Sequence, residues 1–480
     1  MTASAPRIAE VLGDFVTGFH LESSPACDAL LERVRWHVLD AIGLAYSSWT
    51  ADDGFADKLL RGVGPDLGRG SSLVIGTRER FTAAGAAFVN GSLAHGSDFD
   101  DIDLLTVMHC EAFATAATLA IAERERASGL ALAEAWVVAT EVALRMAAGA
   151  NGEGGLFSAG FHNTSVFGTF GAAAGVSKLL GLNAEQTAAA LALAVSFTSG
   201  TSVGWLSASG RNKPPQAGWA AHSGIIAAGL ASAGYTCSLN TIDAPRGFFD
   251  AHAWHDGWSR EAVLDGLGED WRMSRLAIKL YPCGAMIQTT AECVHDLVNE
   301  HGIEPDEVER GELKVPAQFK PVIDDMGASL YRPTSGFASI GSFPCVAARI
   351  ILDGHYGLEH LSDEAVGDPA LLAMADRLTM AVDTDNLSLA LDERPATVTL
   401  ETTRGTFTRS VGVPAGHFSR LTQEQVVEKF RANAGLVLSR GETGAIEEAV
   451  LGLDDSDDIG ELAAVLGPCQ ADRRPEPDPV

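Results

Sequence analysis

The segment HGSDFDDIDLLTVMHC, residues 95–110, has residue types that could carry out proton chemistry. It holds two histidines and four aspartates: His95, Asp98, Asp100, Asp101, Asp103 and His109. On a helix, the first and third aspartates would share one face and the second and fourth another, so only a loop could gather all four. Carboxylates next to imidazoles can hold and transfer protons near neutral pH.

Three interpretations of this acidic cluster remain open at this point. The carboxylates could cap helices and accept hydrogen bonds without a catalytic role. They could form one wall of a metal-free acid/base site. They could also bind Mg²⁺ through carboxylate oxygens, although the D-D-x-x-D spacing of isoprenoid synthases is not present.

Candidate partners for the cluster come from three other segments. His162, in SAGFHNTSVFG, precedes a predicted helix, where its imidazole could project into a pocket. Arg211 and Lys213 form a basic segment in SGRNKPPQAGW. Because the chain is so acidic overall, these two cations are candidates to bind an anionic substrate. Lys279 and Tyr281, in LAIKLYPCG, add a cation and a phenol at a predicted domain boundary. A structural histidine and solvated basic loops are the alternatives.

The composition narrows the functional classes. The 480 residues carry a net charge of −29, which argues against binding to nucleic acids or anionic membranes. We identify no stretch long and apolar enough to span a membrane, no secretory signal, and no glycine-rich motif for a nucleotide cofactor. The seven scattered cysteines have no metal-binding or disulfide spacing. We therefore expect a cytoplasmic protein with no metal or cofactor.

The hydrophobic pattern predicts a mainly α fold with a large all-helical domain and a smaller α+β lid domain. Residues 1–270 read as helices rich in Ala and Gly, and residues 271–415 alternate in strand fashion in GELKVPAQF, RLTMAVDTD and ATVTLETTRGTFTRSV. Residues 416–470 return to a helical pattern, and residues 471–480 are expected to be disordered. Capping boxes are predicted at Asn183 with Gln186 and at Thr422 with Gln425.

Five strings occur in the same order and at similar separations as in the MmgE/PrpD family. They are NGSLAHGSDFDD, the segment that begins GFHNTSVFG, NKPPQAGWAAHSG, KLYPCGAMIQTTAE and SFPCVAARII. The chain resembles this family, which includes 2-methylcitrate dehydratase, cis-aconitate decarboxylase and iminodisuccinate epimerase, over almost its whole length. The resemblance implies a helical domain, an α+β lid and a homodimer.

The resemblance also implies which residues line the pocket. The positions that match the family's motifs are Asp98, His109, His162 and Lys213. We expect His162 to act as base and His109 as acid or carboxylate ligand, with these roles interchangeable. Lys213 would neutralise substrate carboxylates, and Asp98 would orient a histidine or a substrate hydroxyl. The residues expected to bind the substrate are Asp101, Arg211, Gln216, Lys279 and Tyr281.

The sequence departs from the family where members often carry further imidazoles. Ile102 and Asp103 replace a Thr-His pair, Gln216 replaces a histidine, and no histidine follows Pro282 closely. We therefore expect a cofactor-independent lyase or isomerase that moves a proton next to a carboxylate of a small di- or tricarboxylate, with a lyase favoured. The alternatives are a Mg²⁺-dependent enzyme built on the aspartates 98–103 and a relative without catalytic activity.

Overall fold

The computed structural model describes residues 6–150, 156–203, 211–252, 257–383, 392 and 394–467. Helices dominate these residues, and strands are confined to one four-stranded sheet and one short hairpin. The prediction of a mainly α fold with a smaller α+β part is confirmed. The tail predicted for residues 471–480 lies outside the described residues. Within them, no helix combines the length and the apolar character that crossing a bilayer requires.

The first half of the chain supplies most of the helical part. Its helices and its hairpin strands are α1 (Ile8–Gly18), α2 (Cys27–Ser47), α3 (Phe55–Val63), β1 (Arg69–Leu73), β2 (Arg80–Phe81), α4 (Ala83–Ala94), α5 (Glu111–Glu125), α6 (Gly129–Gly149), α7 (Asn163–Leu179), α8 (Ala184–Ala194), α9 (Pro214–Ser232), α10 (Phe248–His252) and α11 (Arg260–Leu264). Helix α9 packs against α4 and α7. A Cβ on Gly91 of α4 would lie 3.0 Å from Cα of Gly218 of α9, so small residues allow the backbones to approach closely.

The α+β part follows and contains the four-stranded sheet. Its elements are α12 (Gln288–His301), β3 (Val308–Pro316), α13 (Lys320–Met326), α14 (Gly336–Ser339), α15 (Phe343–Asp353), α16 (Asp363–Val366), α17 (Pro369–Ala375), β4 (Leu378–Asp383), β5 (Ala396–Thr402) and β6 (Gly405–Val411). The strand order is β4-β3-β5-β6, in which only the β3–β4 pair is parallel. The hairpin predicted near Arg404 joins β5 to β6. Alternate residues of β5 are buried against α12, as the sequence pattern predicts.

Three last helices, α18 (Gln423–Ala434), α19 (Arg440–Leu451) and α20 (Gly460–Val465), lie in the helical part again. One large hydrophobic core draws on residues 8–278 and 421–466, and a second core draws on residues 283–400. Helix α18 packs along α2. The chain thus leaves the helical core near residue 280 and re-enters it near residue 420.

Local sequence signals account for several helix starts. Asn183 and Gln186 form the predicted capping box of α8, and Thr422 and Gln425 form that of α18, so both predictions are confirmed. The cysteines among the described residues are free thiols, and most of them are buried.

Candidate active site

The acidic segment predicted to form one wall of a site is a loop between α4 and α5. His95 caps the C-terminal end of α4, and Asp98 turns the chain with a left-handed φ of 50°. Two distant segments hold this loop. The backbone of Ile102 pairs with that of Ala277, and Nζ of Lys429 on α18 donates to the carbonyl of Phe99 at 2.7 Å. The bridge to Ala277 also brings Lys279 to the loop.

The carboxylate of Asp98 lies between two buried ammonium groups. Its Oδ1 accepts hydrogen bonds from Nζ of Lys213 at 2.5 Å and from Nζ of Lys279 at 2.7 Å. Burial favours a raised pKa for Asp98, but the two lysines outweigh it and hold the pKa below its ordinary value. Burial lowers the pKa of Lys213, against the opposing effect of Asp98. The site therefore contains an ionised carboxylate with more positive than negative charge around it.

His109 contacts this ion cluster through Lys213. Its Nδ1 lies 2.6 Å from the backbone carbonyl of Asp101, and its Nε2 lies 3.1 Å from Nζ of Lys213. The Nδ1 nitrogen must donate to that carbonyl, so Nε2 is free to accept from the ammonium group. Burial, and then the charge of Lys213, lower the pKa of His109 to about 4. The imidazole is therefore neutral at pH 7.

His162 precedes α7 as its N-cap residue and is also buried. Its Nδ1 lies 2.7 Å from Oε1 of Gln216, while its Nε2 has no hydrogen-bond partner among the described residues. Burial, followed by the charge of Lys213, holds the pKa of His162 well below its ordinary value. Gln216, predicted to bind substrate, is thus placed to orient the ring of His162.

A third imidazole, His95, joins the two predicted ones. Its ring centroid lies 4.9 Å from that of His109 and 5.5 Å from that of His162. Its Nδ1 lies 2.6 Å from Oδ2 of Asp100, and both side chains are fully buried. Neither residue is among the predicted catalytic or substrate-binding residues. Both belong to the acidic segment 95–110 that also contains Asp98, and this shared segment was a signal for their role.

The other two aspartates of the segment face away from the lysines. Oδ1 of Asp101, predicted to bind substrate, instead accepts from the backbone nitrogens of Cys110 at 2.8 Å and Glu111 at 3.1 Å, and so caps α5. Its Oδ2 lies 3.4 Å from Nδ1 of His37. Asp103 accepts from the backbone nitrogen and hydroxyl of Thr106. The four carboxylates therefore do not converge on one point, as an Mg²⁺ site built from all of them would require.

Arg211 is placed in the cleft between the two parts of the chain rather than beside Lys213. Its guanidinium group donates to Asp53 and to the carbonyl of Gly96, and it lies over the rings of Phe55 and Phe337. A cavity of 630 Å³ opens here, and its lining includes Ser97, Arg211, Ser335, Phe337 and the acidic residues Asp52, Asp53, Glu359, Asp363 and Glu364. Of the residues predicted to bind substrate, Arg211 lies on the wall of this cavity, and its contact with substrate stays a prediction.

Tyr281 packs against the core of the α+β part. Its ring contacts that of His295 on α12 at a centroid distance of 6.2 Å, and burial, with the nearby charge of Glu292, raises the pKa of its phenol. Its predicted contact with substrate stays a prediction.

Two buried groups of side chains have the donor types of a transition-metal site. They are His95 with Asp100 and His109, and His37 with Asp101 and Glu111; within each group one ligand atom per residue lies within 4.8 Å of the others. Two imidazoles with a carboxylate suit Zn²⁺ or Fe²⁺ better than Mg²⁺. A metal ion bound by the first group would compete with the ammonium group of Lys213 for the imidazole of His109.

Helix ends explain why these side chains meet. His162 begins α7, Lys213 begins α9 with Pro214 at its first turn, and His109 comes just before α5. Three helices thus begin at this site, and the positive end of each helix dipole adds a partial positive charge. Together with two ammonium groups, this arrangement can bind carboxylates, and the imidazoles can transfer protons.

Comparison with known proteins gives matches along most of the chain. The MmgE/PrpD N-terminal domain matches residues 10–261, and the MmgE/PrpD C-terminal domain matches residues 281–455. Cis-aconitate decarboxylase of Homo sapiens is 29% identical over 476 residues, covering 94% of this chain and 93% of the relative. The Mus musculus protein of that name is 28% identical, with coverages of 93% and 91%, and the Aspergillus terreus protein is 26% identical, with coverages of 93% and 94%.

Proposed function

The chain belongs to the MmgE/PrpD family, and from that premise we propose that it is a lyase that removes CO₂ from a small unsaturated tricarboxylate of the cis-aconitate type. The relatives named cis-aconitate decarboxylase cover almost its whole length, which supports a decarboxylase ahead of a dehydratase. An epimerase is the weaker alternative, since none of these relatives carries that name.

The observation that carries this proposal is the pair of buried ammonium groups on Asp98. Lys213 and Lys279 are 4% and 2% exposed, and each would be costly to bury without anionic partners. Asp98 contacts both lysines with a single oxygen, and each ammonium group has a third hydrogen that a substrate carboxylate could accept. The cavity beside Arg211 is lined by Ser97, the residue that precedes Asp98 in the chain.

The proposed reaction needs one proton and no oxidant. In a cis-aconitate-like trianion, the bond between the methylene carbon and its carboxylate breaks, and CO₂ leaves. The released electron pair forms a new terminal alkene, while the distal carbon of the former alkene takes up a proton. Lys213 and Lys279 would stabilise the negative charge that develops in the transition state. Asp98 would hold both lysines in place, and His109 and His162 would deliver the proton.

We propose that the reaction requires no metal or organic cofactor. Ammonium groups suffice to stabilise the developing negative charge, and imidazoles suffice to deliver the proton. The alternative is a metal ion bound by His95, Asp100 and His109, whose ligand atoms are close enough to share one. Turnover that vanishes after dialysis against a chelator and returns with Zn²⁺, Fe²⁺ or Mg²⁺ would favour this alternative. Full turnover in the chelator would support the metal-free reaction.

We also propose that two copies of the chain associate through the outer face of α9. Trp219 and Ile226 on this face are 41% and 38% exposed, and the helix contains no Asp, Glu, Lys or Arg. Two copies that each carry a net charge of −29 repel one another, so a contact free of acidic side chains is the favourable one. Trp219→Glu should halve the mass measured by sedimentation, whereas Val465→Glu, at another exposed apolar residue, should leave it unchanged.

The direct test is to incubate the protein with cis-aconitate in D₂O containing EDTA and to follow the proton NMR spectrum. Decarboxylation predicts new terminal alkene signals and one deuterium at the carbon that took up the proton. Citrate, 2-methylcitrate and iminodisuccinate should be run in parallel, since turnover of one of them would identify a dehydratase or an epimerase. A protein that turns over none and binds none of these acids would be a relative without this activity.

A further inference from the structure

His109 stands at one end of a tight turn formed by residues 103–108, which we call the 103–108 turn. The backbone nitrogen of Asp103 donates to the carbonyl of Met108 at 2.8 Å, and this bond closes the turn. Nδ1 of His109 lies 2.6 Å from the carbonyl of Asp101, which belongs to the chain that enters the turn. The orientation of the imidazole therefore depends on how the turn is held.

Within the 103–108 turn, Val107 has a left-handed backbone conformation with a φ of 53°. Its side chain is branched at Cβ, and such residues are strained in this region of backbone angles. Strained conformations persist only where the surrounding structure holds them in place. The bond that closes the turn fixes its shape but not its orientation towards the site, so contacts from other segments must fix that orientation.

Two residues at the start of α7 hold the turn from the helical part. Nδ2 of Asn163 donates to the carbonyl of Thr106. Oγ1 of Thr164 accepts from the backbone nitrogen of His109 at 2.9 Å. These bonds attach the turn to α7, which begins next to His162, the other imidazole proposed to deliver the proton.

Arg394 reaches the turn from the α+β part, just before β5. Its Nη2 donates to the carbonyl of Leu104 at 2.9 Å, and its guanidinium group lies 5.9 Å from the centroid of the Phe319 ring. The side chain is buried, with 5% of the residue exposed. Oγ1 of Thr289 on α12 donates to the backbone carbonyl of Arg394 at 2.7 Å, which fixes this residue to the α+β part. One buried guanidinium group thus joins the α+β part to the loop that carries His109.

The guanidinium group of Arg394 is charged, which makes its bond to a carbonyl stronger than a bond between neutral groups. Burial lowers the pKa of Arg394 to about 10, against the opposing effect of Asp103, so the group is ionised at pH 7. Because Asp103 opens the 103–108 turn, the charge and the hydrogen bond of Arg394 act on the same segment. A planar guanidinium group directs its donors at fixed angles, whereas an ammonium group on a flexible stem does not.

We propose that Arg394 is a positioning residue through which the α+β part sets the orientation of the 103–108 turn, and thereby that of His109. This inference rests on the proposed function, in which His109 is one of the two imidazoles that deliver the proton. Arg394 acts through the backbone of the turn and does not need to touch the substrate. His109 therefore has its proton-delivering orientation only while the α+β part is in contact with the loop.

The test uses Arg394→Met, which keeps an unbranched apolar stem beside Phe319 and removes the donors. Arg349→Met is the matched control, because Arg349 is also buried, at 8% exposed, and its Nη2 donates to the carbonyl of Ala365 at 2.8 Å. That bond lies within the α+β part. Both variants lose a buried bond from a guanidinium group to a carbonyl, so both should lose stability, but only Arg394→Met should change the turn.

Hydrogen exchange followed by mass spectrometry measures the turn without any substrate. The amides of residues 103–109 should exchange about 10-fold faster in Arg394→Met than in the wild type and in Arg349→Met, because one bond that holds the turn is lost. In steady-state kinetics, kcat of Arg394→Met should fall about 10-fold with KM changed less than about 3-fold. Arg394→Lys, which keeps the charge and should fold even if the methionine variant does not, should give intermediate values of both.

Wild-type exchange at residues 103–109 in the Arg394 variants would overturn the inference. Faster exchange with kcat equal to that of Arg349→Met would also overturn it, since the turn would then move without affecting His109. If the wild type turns over none of the acids tested, the proposed function fails. The exchange rates, together with the imidazole nitrogen signals of His109 in NMR, would then still decide whether Arg394 positions this residue.

Discussion

Nζ of Lys213 lies 3.1 Å from Nε2 of His109, so a buried ammonium group donates to the lone pair of a neutral imidazole. The two groups cannot both be protonated without strong repulsion at that distance. His109 can therefore take up a proton at Nε2 only if Lys213 stops donating its own proton to that nitrogen. The two side chains thus form a single acid/base unit.

Replacing Lys213 by methionine should lower kcat/KM by about 10²- to 10³-fold, because one of the two cations that stabilise developing charge is lost. Asp98 would keep Lys279 as its partner, so the fold should persist. Lys178→Met is the control, since Lys178 pairs with Glu134 on α6 rather than with the site. Steady-state kinetics on the substrate found in the NMR screen measures both variants, and wild-type turnover by Lys213→Met would contradict the site.

The stability of the protein should fall between pH 7 and pH 5. His109 has a pKa of about 4 in the folded chain, against about 6.5 in an unfolded one. As the pH drops through that interval, the unfolded chain gains a proton at this residue and the folded chain does not. The free energy of unfolding should therefore decrease by about 2 kcal/mol from His109 alone. Urea denaturation at both pH values should show a smaller decrease in His109→Gln, and an equal decrease would refute the assignment.

Gln216→Ala should lower kcat about 10-fold with little change in KM, since losing one orienting hydrogen bond costs about 1 to 1.5 kcal/mol. The lost bond is the one from Nδ1 of His162, whose ring would then be free to turn. Gln186→Ala, in the exposed capping box of α8, tests for unspecific effects and should leave kcat unchanged. A KM effect without a kcat effect in Gln216→Ala would instead indicate direct contact with the substrate.

Two glycines of α9 should respond oppositely to alanine. A Cβ on Gly218 would lie 2.1 Å from the carbonyl oxygen of Phe88 on α4, so Gly218→Ala should destabilise the fold by about 1 to 3 kcal/mol. Gly229 has open space around its Cβ position, so Gly229→Ala should stabilise the helix by about 0.5 to 1 kcal/mol. Urea denaturation of both variants measures the contrast, and equal effects would contradict the close approach of α4 and α9.

The elements of the fold could be predicted because their signals are local. Capping boxes mark helix starts, and the alternation of ATVTLET follows the buried face of β5. The segments that supply the site were also predictable, since cations are rare in this chain and Lys213 stands out. The sequence cannot show which cation of the loop enters the site. The start of α9 carries Lys213 to Asp98, whereas Arg211, two residues earlier, reaches Asp53.

The sequence also does not show which partner the side chain of each aspartate in the loop contacts. Asp98, Asp100 and Asp101 look equivalent in DFDD, but the left-handed turn at Asp98 and the bridge at Ile102 send their carboxylates to different partners. Asp98 meets lysines, Asp100 meets imidazoles, and Asp101 caps a helix. Such assignments depend on backbone angles and on contacts from distant segments, which composition and periodicity do not encode.

The hydrogen bond from Lys429 to the carbonyl of Phe99 joins residues 330 positions apart in the chain. Nζ of Lys429 also donates to Asp40 at 2.6 Å. One cation from the C-terminal part of the chain therefore binds two segments from its N-terminal part. At about 5 to 20 residues per second, a ribosome needs roughly 16 to 66 s to make the intervening chain. During that interval Asp40 and the loop are without this cation. The nascent helical part therefore lacks these two contacts until α18 has left the exit tunnel.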